Sequence, residues 1–512
     1  MRLFFREVLP KPASRRAGAR ARPAGPDLGL GAAIACAALF LLTGGCQRES
    51  APEATLALVP CRPEGFAEEV RCGALARPED PAAPNGRQLQ LQVTVLPARA
   101  SHPRPDPLYV IAGGPGQSAR GVAPLLGRFF SLVRKQRDVV LVDQRGTGGS
   151  NPLACADLGG ELPIAARLRR DEALEAREID GCRADLERKA DLRFYGTAQA
   201  IDDLDAVRAA LGHAQINLWG TSYGTRVALA YLGRHEARVR SATLDAVVPP
   251  DVRLPEAMGQ GAADALQKTF DDCAARPACA AAFPDLAARF RALVERLETS
   301  PLEATAPDPR TGAPHAVSLT AEALTSTVRN LLYDPDLAAL LPLTLTSLER
   351  GDARGFLAQA DALTRATGDV SEGMHLCVFC GEDFARAGEA AAHGLFGRQV
   401  AASYAQACAR WPRGEAPEWL FEPVRSGVPV LILSGALDPV TPPAFGERVL
   451  ATLSNARHVV APGLSHGLTA RDYTAKVVAH FIDKPLPGAL DVACIEATAR
   501  PPFFLSFAGP EP

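Results

Sequence analysis

The sequence predicts an α/β fold in which a mostly parallel sheet carries helices on both faces and is interrupted by a long helical insertion. Short β-branched apolar runs at residues 108–112 and 139–143 end in glycine-rich turns, which is typical of buried parallel strands. Helical periodicity then dominates from about residue 251 to residue 418. Strand patterns return at residues 429–434 and 458–461, so the sheet is expected to resume after the insertion.

The remaining elements continue this alternation along the chain. Residues 89–96 alternate in polarity as a strand does, and residues 198–211 place apolar side chains on one helical face. The runs 216–219 and 239–247 are further expected strands, and 473–481 is an expected closing helix. We therefore divide the chain into five parts: a leader (1–46), a tether (47–60), a first sheet-forming part (61–250), a helical cap (251–418) and a second sheet-forming part (419–504).

The overall composition is that of an ordinary globular protein. Hydrophobic residues make up 47% of the chain and charged residues 22%. The formal net charge is −3, so we expect no broad basic surface and no nucleic-acid partner. Since no phosphate-binding glycine loop follows a strand, we also expect no cofactor.

The leader differs in character from the rest of the chain. Basic residues precede a short apolar run at 28–42, and Thr43-Gly44-Gly45-Cys46 follows. This order is typical of an export signal, and the segment ending at Cys46 is similar to a bacterial lipoprotein cleavage site. We expect a periplasmic or cell-envelope location, with membrane attachment through a lipid on Cys46. The alternative is a freely secreted protein whose signal ends near a cysteine.

Cysteine usage agrees with export. Of the twelve cysteines, Cys36 and Cys46 belong to the leader, and the even number that remains suggests disulfides. Short sequence separations suggest four pairs and leave a fifth: Cys61–Cys72, Cys155–Cys182, Cys273–Cys279, Cys380–Cys408 and Cys377–Cys494. The alternative for Cys377 and Cys380, with His375 nearby, is a metal site. No second C-x-x-C completes zinc ligation, so we expect no metal.

The most informative motif is Gly220-Thr221-Ser222-Tyr223-Gly224, which lies between an expected strand and an expected helix. A G-x-S-x-G turn in this context exposes a serine hydroxyl at the start of a helix, where the helix dipole favours negative charge. The motif also occurs at 463–467, but no clear helix follows it there. We therefore predict that Ser222, rather than Ser465, is a nucleophile.

A serine nucleophile needs a base, and the base needs an orienting carboxylate. In enzymes with this strand–turn–helix serine the chain order is serine, acid, histidine. Asp438 follows the expected strand 429–434, and His466 follows the expected strand 458–461. Each alone could be an ordinary loop residue, but their order and contexts together predict a Ser222–Asp438–His466 triad.

The developing oxyanion needs two converging backbone N–H groups. Tyr223, directly after the nucleophile, is one expected donor. The glycine-rich turn 112–116 follows an earlier strand, and because Pro115 has no N–H, Gly114 is the second expected donor. The alternative is a glycine turn with a purely structural role.

Together these motifs resemble a known family. Gly113-Gly114-Pro115-Gly116, residues 143–148 (Asp-Gln-Arg-Gly-Thr-Gly), the Ser222 motif and the two later loops are similar to α/β-hydrolase serine peptidases typified by proline iminopeptidase and tripeptidyl aminopeptidase. The likeness spans about residues 60–504. It implies an α/β-hydrolase fold with a large helical cap, and release of residues or short peptides from free N-termini. Ala112 stands where proline iminopeptidases usually carry histidine, which favours the tripeptidyl branch.

A cap segment of this branch resembles Cys380-Gly381-Glu382-Asp383. We expect Glu382, or else Asp383, to bind the substrate ammonium, and the alternative is a helix-start carboxylate or a structural salt bridge. Arg145 is expected to brace the loops around the Ser222 turn rather than to touch substrate.

The leading hypothesis is thus an exported serine aminopeptidase acting on peptides. A carboxylesterase or lipase would use the same triad, and a third possibility is a hydrolase fold used only as a binding module. The sequence gives no indication of the oligomeric state.

Overall fold

The computed structural model describes residues 56–155, 172–366, 370–387 and 394–510, together with Ile164 and Leu168. The leader with Cys46, and residues 47–55 of the expected tether, lie outside these ranges. Within the described ranges, no helix combines the length and the apolar character needed to cross a bilayer.

The described chain contains thirteen strands, which we number in chain order: β1 Val59–Cys61, β2 Val70–Pro78, β3 Gln88–Leu96, β4 Leu108–Ile111, β5 Val139–Val142, β6 Ile216–Thr221, β7 Val239–Asp245, β8 Leu302–Pro307, β9 Pro314–Leu319, β10 Val430–Gly435, β11 Ala456–Ala461, β12 Phe504–Ser506 and β13 Gly509–Pro510. Nine form one sheet in the order β1-β2-β3-β5-β4-β6-β7-β10-β11. The six strands from β5 to β11 run parallel, and the three at the other edge pair antiparallel.

The helices of the same ranges are numbered likewise: α1 Ala119–Val122, α2 Gly127–Val133, α3 Glu172–Glu187, α4 Thr197–Ala210, α5 Tyr223–Arg234, α6 Leu254–Ala274, α7 Pro277–Ala282, α8 Leu286–Thr299, α9 Ala321–Leu331, α10 Pro335–Ala338, α11 Leu341–Glu349, α12 Arg354–Ala366, α13 Glu372–Val378, α14 Gly394–Arg410, α15 Pro443–Leu450, α16 Asp472–Asp483 and α17 Ala493–Glu496. Separate apolar cores form around α4 and α5 and around α2 and α16.

The burial of the central strands explains why the sequence pattern could predict them. Every residue of β4, β5 and β10 is buried, so these strands are near-continuous apolar runs rather than alternating ones. Helices cover both faces of a parallel sheet, and a strand buried on both faces has few positions for polar side chains. The predicted α/β architecture is confirmed.

The cap lies between β7 and β10 and has an apolar core of its own, which includes Phe270, Phe290, Leu345 and Phe356. It is mainly helical, but it also contains the antiparallel hairpin β8–β9. Residues 308–313 join these two strands. The hairpin was missed because its first strand, Leu302–Pro307, has little apolar side-chain bulk and only one buried residue.

Strand register brings several loops together. Asp245 at the end of β7 pairs with Thr221 at the end of β6 and with Leu433 of β10. Gly435 at the end of β10 pairs with Ala461 at the end of β11. Because these strands are parallel, the loops after them leave from the same edge of the sheet, where α/β proteins usually bind ligands.

Four of the five expected disulfides are present, namely Cys61–Cys72, Cys155–Cys182, Cys273–Cys279 and Cys380–Cys408. Such bonds persist in oxidising compartments, which indicates a location outside the cytoplasm.

The expected Cys377–Cys494 bond is wrong. Both thiols are free. Cys377 is buried in the core beside α5, where its sulfur accepts the indole N–H of Trp411 at 3.3 Å, whereas Cys494 is exposed on the short helix α17. The pair had been inferred by elimination, and an even count does not place two cysteines next to each other.

Candidate active site

Ser222 occupies the turn between β6 and α5. Its backbone is strained, with φ 54° and ψ −127°, a region that residues other than glycine rarely adopt. The flanking glycines are required by space: a Cβ on Gly220 would lie 2.4 Å from the carbonyl oxygen of Gly224, and one on Gly224 would lie 2.3 Å from that of Ile111. The turn therefore places Ser222 at the carboxyl edge of the sheet, directly before α5.

Asp438 and His466 lie in the loops after β10 and β11 and are hydrogen-bonded to each other. His466 Nδ1 donates to Asp438 Oδ2 at 2.8 Å, and the Thr441 hydroxyl donates to the same oxygen at 2.6 Å. The other carboxylate oxygen accepts the backbone N–H groups of Val440 and Thr441 at 2.8 and 2.9 Å. With its proton on Nδ1, neutral His466 has Nε2 available to accept a proton.

The electrostatics of this pair favour a charged aspartate and a basic histidine. Burial alone would raise the pKa of Asp438, but the His466 charge and the hydrogen bonds from His466 and Thr441 hold it below its ordinary value. Burial alone would lower the pKa of His466, but the Asp438 carboxylate raises it.

Asp245 links the Ser222 turn to the His466 loop, and the sequence analysis had missed it. Its carbonyl accepts the N–H of Ser222 at 3.0 Å. Its fully buried carboxylate accepts the N–H groups of Leu468 and Thr469, both at 2.8 Å. An acidic residue at the end of a buried strand was the available signal, but its partners lie more than 200 positions later in the chain.

The glycine turn after β4 runs beside the candidate nucleophile. A Cβ on Gly113 would lie 3.1 Å from the Ser222 Cβ, so only a bare backbone fits there. Gly114 follows with φ +106° and is exposed. Tyr223 is the first residue of α5, and an N–H at that position has no acceptor inside its own helix. The two expected oxyanion donors thus lie on adjacent backbone segments.

The cap contacts this glycine turn directly. Ser371 donates its N–H to the Gly116 carbonyl at 2.9 Å. His375 Nδ1 donates to the Pro115 carbonyl at 3.2 Å, and His375 Nε2 accepts the Tyr404 hydroxyl at 2.8 Å. Beside this turn, a cavity of about 370 Å³ is lined by Ile179, Val370, Glu372, His375, Tyr404 and Ala407, among others.

Comparison with known proteins places this geometry in a family. A family model described as the alpha/beta hydrolase fold matches residues 106–468, which include β4 and both later loops. The chain belongs to the α/β-hydrolase family. The resemblance stated from the motifs is confirmed, as are the predicted fold class and the predicted class of enzyme, a serine hydrolase with relatives named as peptidases.

Serine protease Hip1 of Mycobacterium tuberculosis is 29% identical over 487 residues, which cover 84% of this chain and 91% of that protein. Tripeptidyl aminopeptidase of Streptomyces lividans is 32% identical over 195 residues, covering 35% of this chain and 36% of that one. Among solved structures, proline iminopeptidase of Mycobacterium smegmatis matches 80% of this chain and 98% of its own, with 16% identity and a TM-score of 0.41.

The two cap carboxylates expected to bind a substrate ammonium are both engaged within this α/β hydrolase. The Glu382 carboxylate accepts the N–H of Thr197 at 2.6 Å and the Thr197 hydroxyl at 2.7 Å. Asp383 is fully buried and forms an ion pair with buried Arg226 at 2.8 Å. Asp383 thus has the contacts of a structural salt bridge, the alternative that the sequence left open.

Glu382 also connects to the Ser222 turn through its partner. The Thr197 hydroxyl lies 2.7 Å from the hydroxyl of Tyr223, the residue after Ser222. Burial raises the pKa of Glu382 to about 7, against the opposing hydrogen bonds from Thr197.

Arg145 has the bracing contacts expected of it. Its guanidinium donates to both oxygens of Asp203 at 2.7 and 2.8 Å, and to the carbonyls of Glu79 and Phe194. The side chain is buried, and its hydrogen bonds tie neighbouring loops together.

Other serines have contacts that make them poor nucleophiles. The Ser465 hydroxyl is buried and donates to the carbonyls of Leu332 and Leu437. Ser434 has a histidine partner: it lies 2.9 Å from His458 Nε2, and His458 Nδ1 lies 2.6 Å from Glu447. However, Ser434 is fully buried inside β10, where no substrate carbonyl could reach it.

Within the described ranges, no group of three or more His, Cys, Asp or Glu side chains is arranged to hold a metal ion. Cys380, which the metal alternative required as a thiolate, is in the disulfide with Cys408.

Proposed function

We propose that the protein is an exported serine aminopeptidase that uses Ser222, His466 and Asp438 to release residues or short peptides from peptide N-termini. The observation that carries the proposal is the Asp438–His466 hydrogen bond of 2.8 Å in loops tied to the strained Ser222 turn. The names of the relatives, serine protease and tripeptidyl aminopeptidase, support a peptide substrate.

In the first half-reaction, the Ser222 hydroxyl attacks the scissile carbonyl while His466 Nε2 takes its proton. Asp438 holds the imidazole in the required tautomer and stabilises the cation that forms. The N–H groups of Gly114 and Tyr223 stabilise the oxyanion, and the start of α5 adds its helix dipole. His466 then donates the proton to the leaving amine, which departs and leaves an acyl-enzyme.

In the second half-reaction, water takes the place of the departed amine. His466 accepts a proton from the water as it attacks the Ser222 ester carbonyl. The tetrahedral intermediate collapses, and His466 returns the proton to the Ser222 oxygen, which releases the acid product. Each step uses only side chains and backbone groups of this chain.

An aminopeptidase must recognise the terminal ammonium of its substrate. Of the two expected carboxylates we propose Glu382, because Asp383 is paired with Arg226. Thr197 holds Glu382 close to Tyr223, which places a carboxylate near the candidate nucleophile. An ammonium in the same region would favour the ionised form of Glu382, whose pKa burial has raised to about 7.

Three substrates test the function on the wild type and on Ser222→Ala: an unblocked peptidyl p-nitroanilide, its N-acetylated form and a p-nitrophenyl acyl ester. We expect the wild type to cleave the unblocked anilide much faster than the acetylated one. Equal cleavage of the two anilides would remove the aminopeptidase assignment. Turnover of the ester alone would show a carboxylesterase or lipase. Failure of a fluorophosphonate probe to label Ser222 would leave only a non-catalytic binding module.

The ammonium site has its own test. Glu382→Gln should reduce the preference for unblocked over acetylated anilide, and Glu415→Gln, at an exposed position, should retain it. An unchanged preference in Glu382→Gln would exclude that residue.

For the leader, we propose cleavage before Cys46 and lipidation of that cysteine. The four disulfides support an oxidising destination. Intact mass spectrometry of the natively produced protein should show an acylated N-terminal cysteine. An unmodified N-terminus at another residue would exclude lipidation but leave export in place.

A further inference from the structure

Arg329 lies on the last turn of α9, the cap helix that ends two residues before Tyr333. Four residues later, Tyr333 contacts His466 twice. Its carbonyl accepts the His466 N–H at 3.4 Å, and its ring meets the imidazole edge-on with centroids 5.0 Å apart. Residues four apart lie on the same side of a helical turn, so Arg329 is about one turn from the residue that covers His466.

Two nitrogens of the Arg329 guanidinium have no acceptor within the described part of the chain. Its Nε and Nη1 atoms are shielded from solvent and make no hydrogen bond. Arg137, Arg226 and Arg500 also have one unsatisfied nitrogen each, but every one of these is paired with a carboxylate: Asp106, Asp383 and Asp272, respectively. Arg329 has no ion pair with a carboxylate among the described residues. Shielded N–H groups without an acceptor are unfavourable, which points to a partner that comes from outside the chain.

The groups that feel the charge of Arg329 are neutral side chains. Burial raises the pKa of the Tyr333 and Tyr404 phenols to about 12, although the nearby Arg329 charge opposes this. Burial lowers the pKa of His375, and Arg329 adds to that effect. His375 and Tyr404 line the 370 Å³ cavity beside the glycine turn. Arg329 is therefore close enough to the cavity residues His375 and Tyr404, and to Tyr333 beside the candidate base, for its charge to act on all three.

Two carboxylates, Asp438 and Asp383, act on the same side chains as Arg329, and both are already in use. Asp438 raises the pKa of Tyr333 but is hydrogen-bonded to His466. Asp383 acts on Tyr404 and His375 but is paired with Arg226. Neither carboxylate can serve Arg329 without giving up its own partner.

We propose that Arg329 binds a carboxylate of the substrate, so that the enzyme prefers peptides with an acid group close to the scissile bond. The proposal rests on the peptidase function proposed above. A guanidinium suits this task because its planar N–H groups pair with a carboxylate in two parallel hydrogen bonds. The carboxylate can come from an Asp or Glu side chain, or from the C-terminus of a short leaving peptide.

Matched peptides distinguish the two sources. Peptides with Glu or Gln on either side of the scissile bond vary the side chain, and free or amidated C-termini on short peptides vary the terminus. In the wild type, the acid should raise kcat/KM by about tenfold or more at one of these positions, as expected of a charge-assisted pair. High salt should reduce the ratio.

Substitutions of Arg329 test whether this residue causes the preference for acidic substrates. Arg329→Gln should bring the ratio of acidic to neutral substrate to about one, while Arg329→Lys should keep part of it, because lysine retains the charge but not the paired geometry. Arg350→Gln is the matched control, since Arg350 is exposed at the end of α11 in the same cap. Each ratio is internal to one protein sample, so partial unfolding of a variant does not alter it.

The outcomes separate this inference from the proposed function. Turnover of the neutral peptides tests the function, whereas the ratio tests Arg329. A wild-type ratio near one at every position, or an undiminished ratio in Arg329→Gln, would overturn the carboxylate site. If the protein cleaves esters but not peptides, the acidic substrate is a p-nitrophenyl ester of a dicarboxylic acid with its second acid group free, and the neutral substrate is the same compound with that group methylated. A wild-type ratio of acidic to neutral turnover near one, or an undiminished ratio in Arg329→Gln, would again overturn the carboxylate site.

Discussion

The backbone N–H of Ser222 donates to the carbonyl of Asp245 at 3.0 Å. The same Asp245 uses its carboxylate to accept the N–H groups of Leu468 and Thr469, just past His466. One residue thus fixes the positions of both the candidate nucleophile's turn and the candidate base's loop. Burial raises its pKa, and the hydrogen bonds from Leu468 and Thr469 act in the opposite direction.

Asp245→Asn should therefore misplace His466. One of the two N–H donors would face an amide nitrogen instead of a carboxylate oxygen, and the loop must shift. A displacement of about 1 Å near reacting groups costs on the order of 10²-fold in rate, so we expect kcat/KM to fall by about that factor. Steady-state kinetics alongside thermal unfolding give the measurement. An unchanged rate in a folded variant would show that Asp245 does not position the base.

Ser222→Ala should lower kcat by roughly 10³-fold or more while the fold persists. Ser465→Ala should retain most activity, because that hydroxyl serves only the carbonyls of Leu332 and Leu437. Covalent labelling with a fluorophosphonate and mass mapping of the adduct provide the check. Equal labelling of the wild type and Ser222→Ala would disprove the assignment.

The pH dependence of kcat/KM should follow His466. A protonated imidazole cannot accept the serine proton, so activity falls as the pH drops through its pKa. Since Asp438 raises that pKa above the ordinary 6.5, the acid limb should have its midpoint above 6.5. Asp438→Asn should lower kcat by about 10⁴-fold and move the limb to lower pH. A limb that stays in place in this variant would argue that another group titrates.

Asp383→Asn should destabilise the protein, since it leaves Arg226 charged and buried without its partner. Breaking such a pair costs about 3–5 kcal/mol of unfolding free energy. The matched control is Asp185→Asn, whose ion pair with Arg188 is exposed and should contribute no more than about 1 kcal/mol. Denaturant unfolding of both variants distinguishes the two cases. Similar small losses would mean that Asp383 is free for another role.

The two free cysteines should differ in reactivity. Burial raises the pKa of Cys377 to about 12, whereas Cys494 is exposed. In native protein without its leader, a thiol reagent should label Cys494 alone, and unfolding without reduction should add Cys377. Peptide mapping gives the sites. Labelling of neither residue under denaturing conditions would restore the bond that the structure excludes.

The sequence could predict the features that depend on local pattern. Fully buried strands such as β4 and β10 are short apolar runs, and the loops with Ser222, Asp438 and His466 directly follow strands. The catalytic roles of these three residues stay predictions.

Features that depend on distant partners could not be predicted. Asp245 acquires its role from residues beyond the cap, and Arg329 is notable only because its Nε and Nη1 have no acceptor in the described chain. Glu382 and Asp383 are acidic residues, which the sequence alone suggests are exposed. Both are buried against side chains that lie far away in the chain.

The position of the cap between β7 and β10 also affects when activity can arise. Neighbouring strands of one sheet are separated by the whole cap, and their pairing must close that long loop. Asp438 and His466 come after the cap and are therefore synthesised later than Ser222. Long-range pairing of this kind forms late in folding. A partly made chain would thus carry the serine without its acid and base, and would remain inactive until the final strands dock.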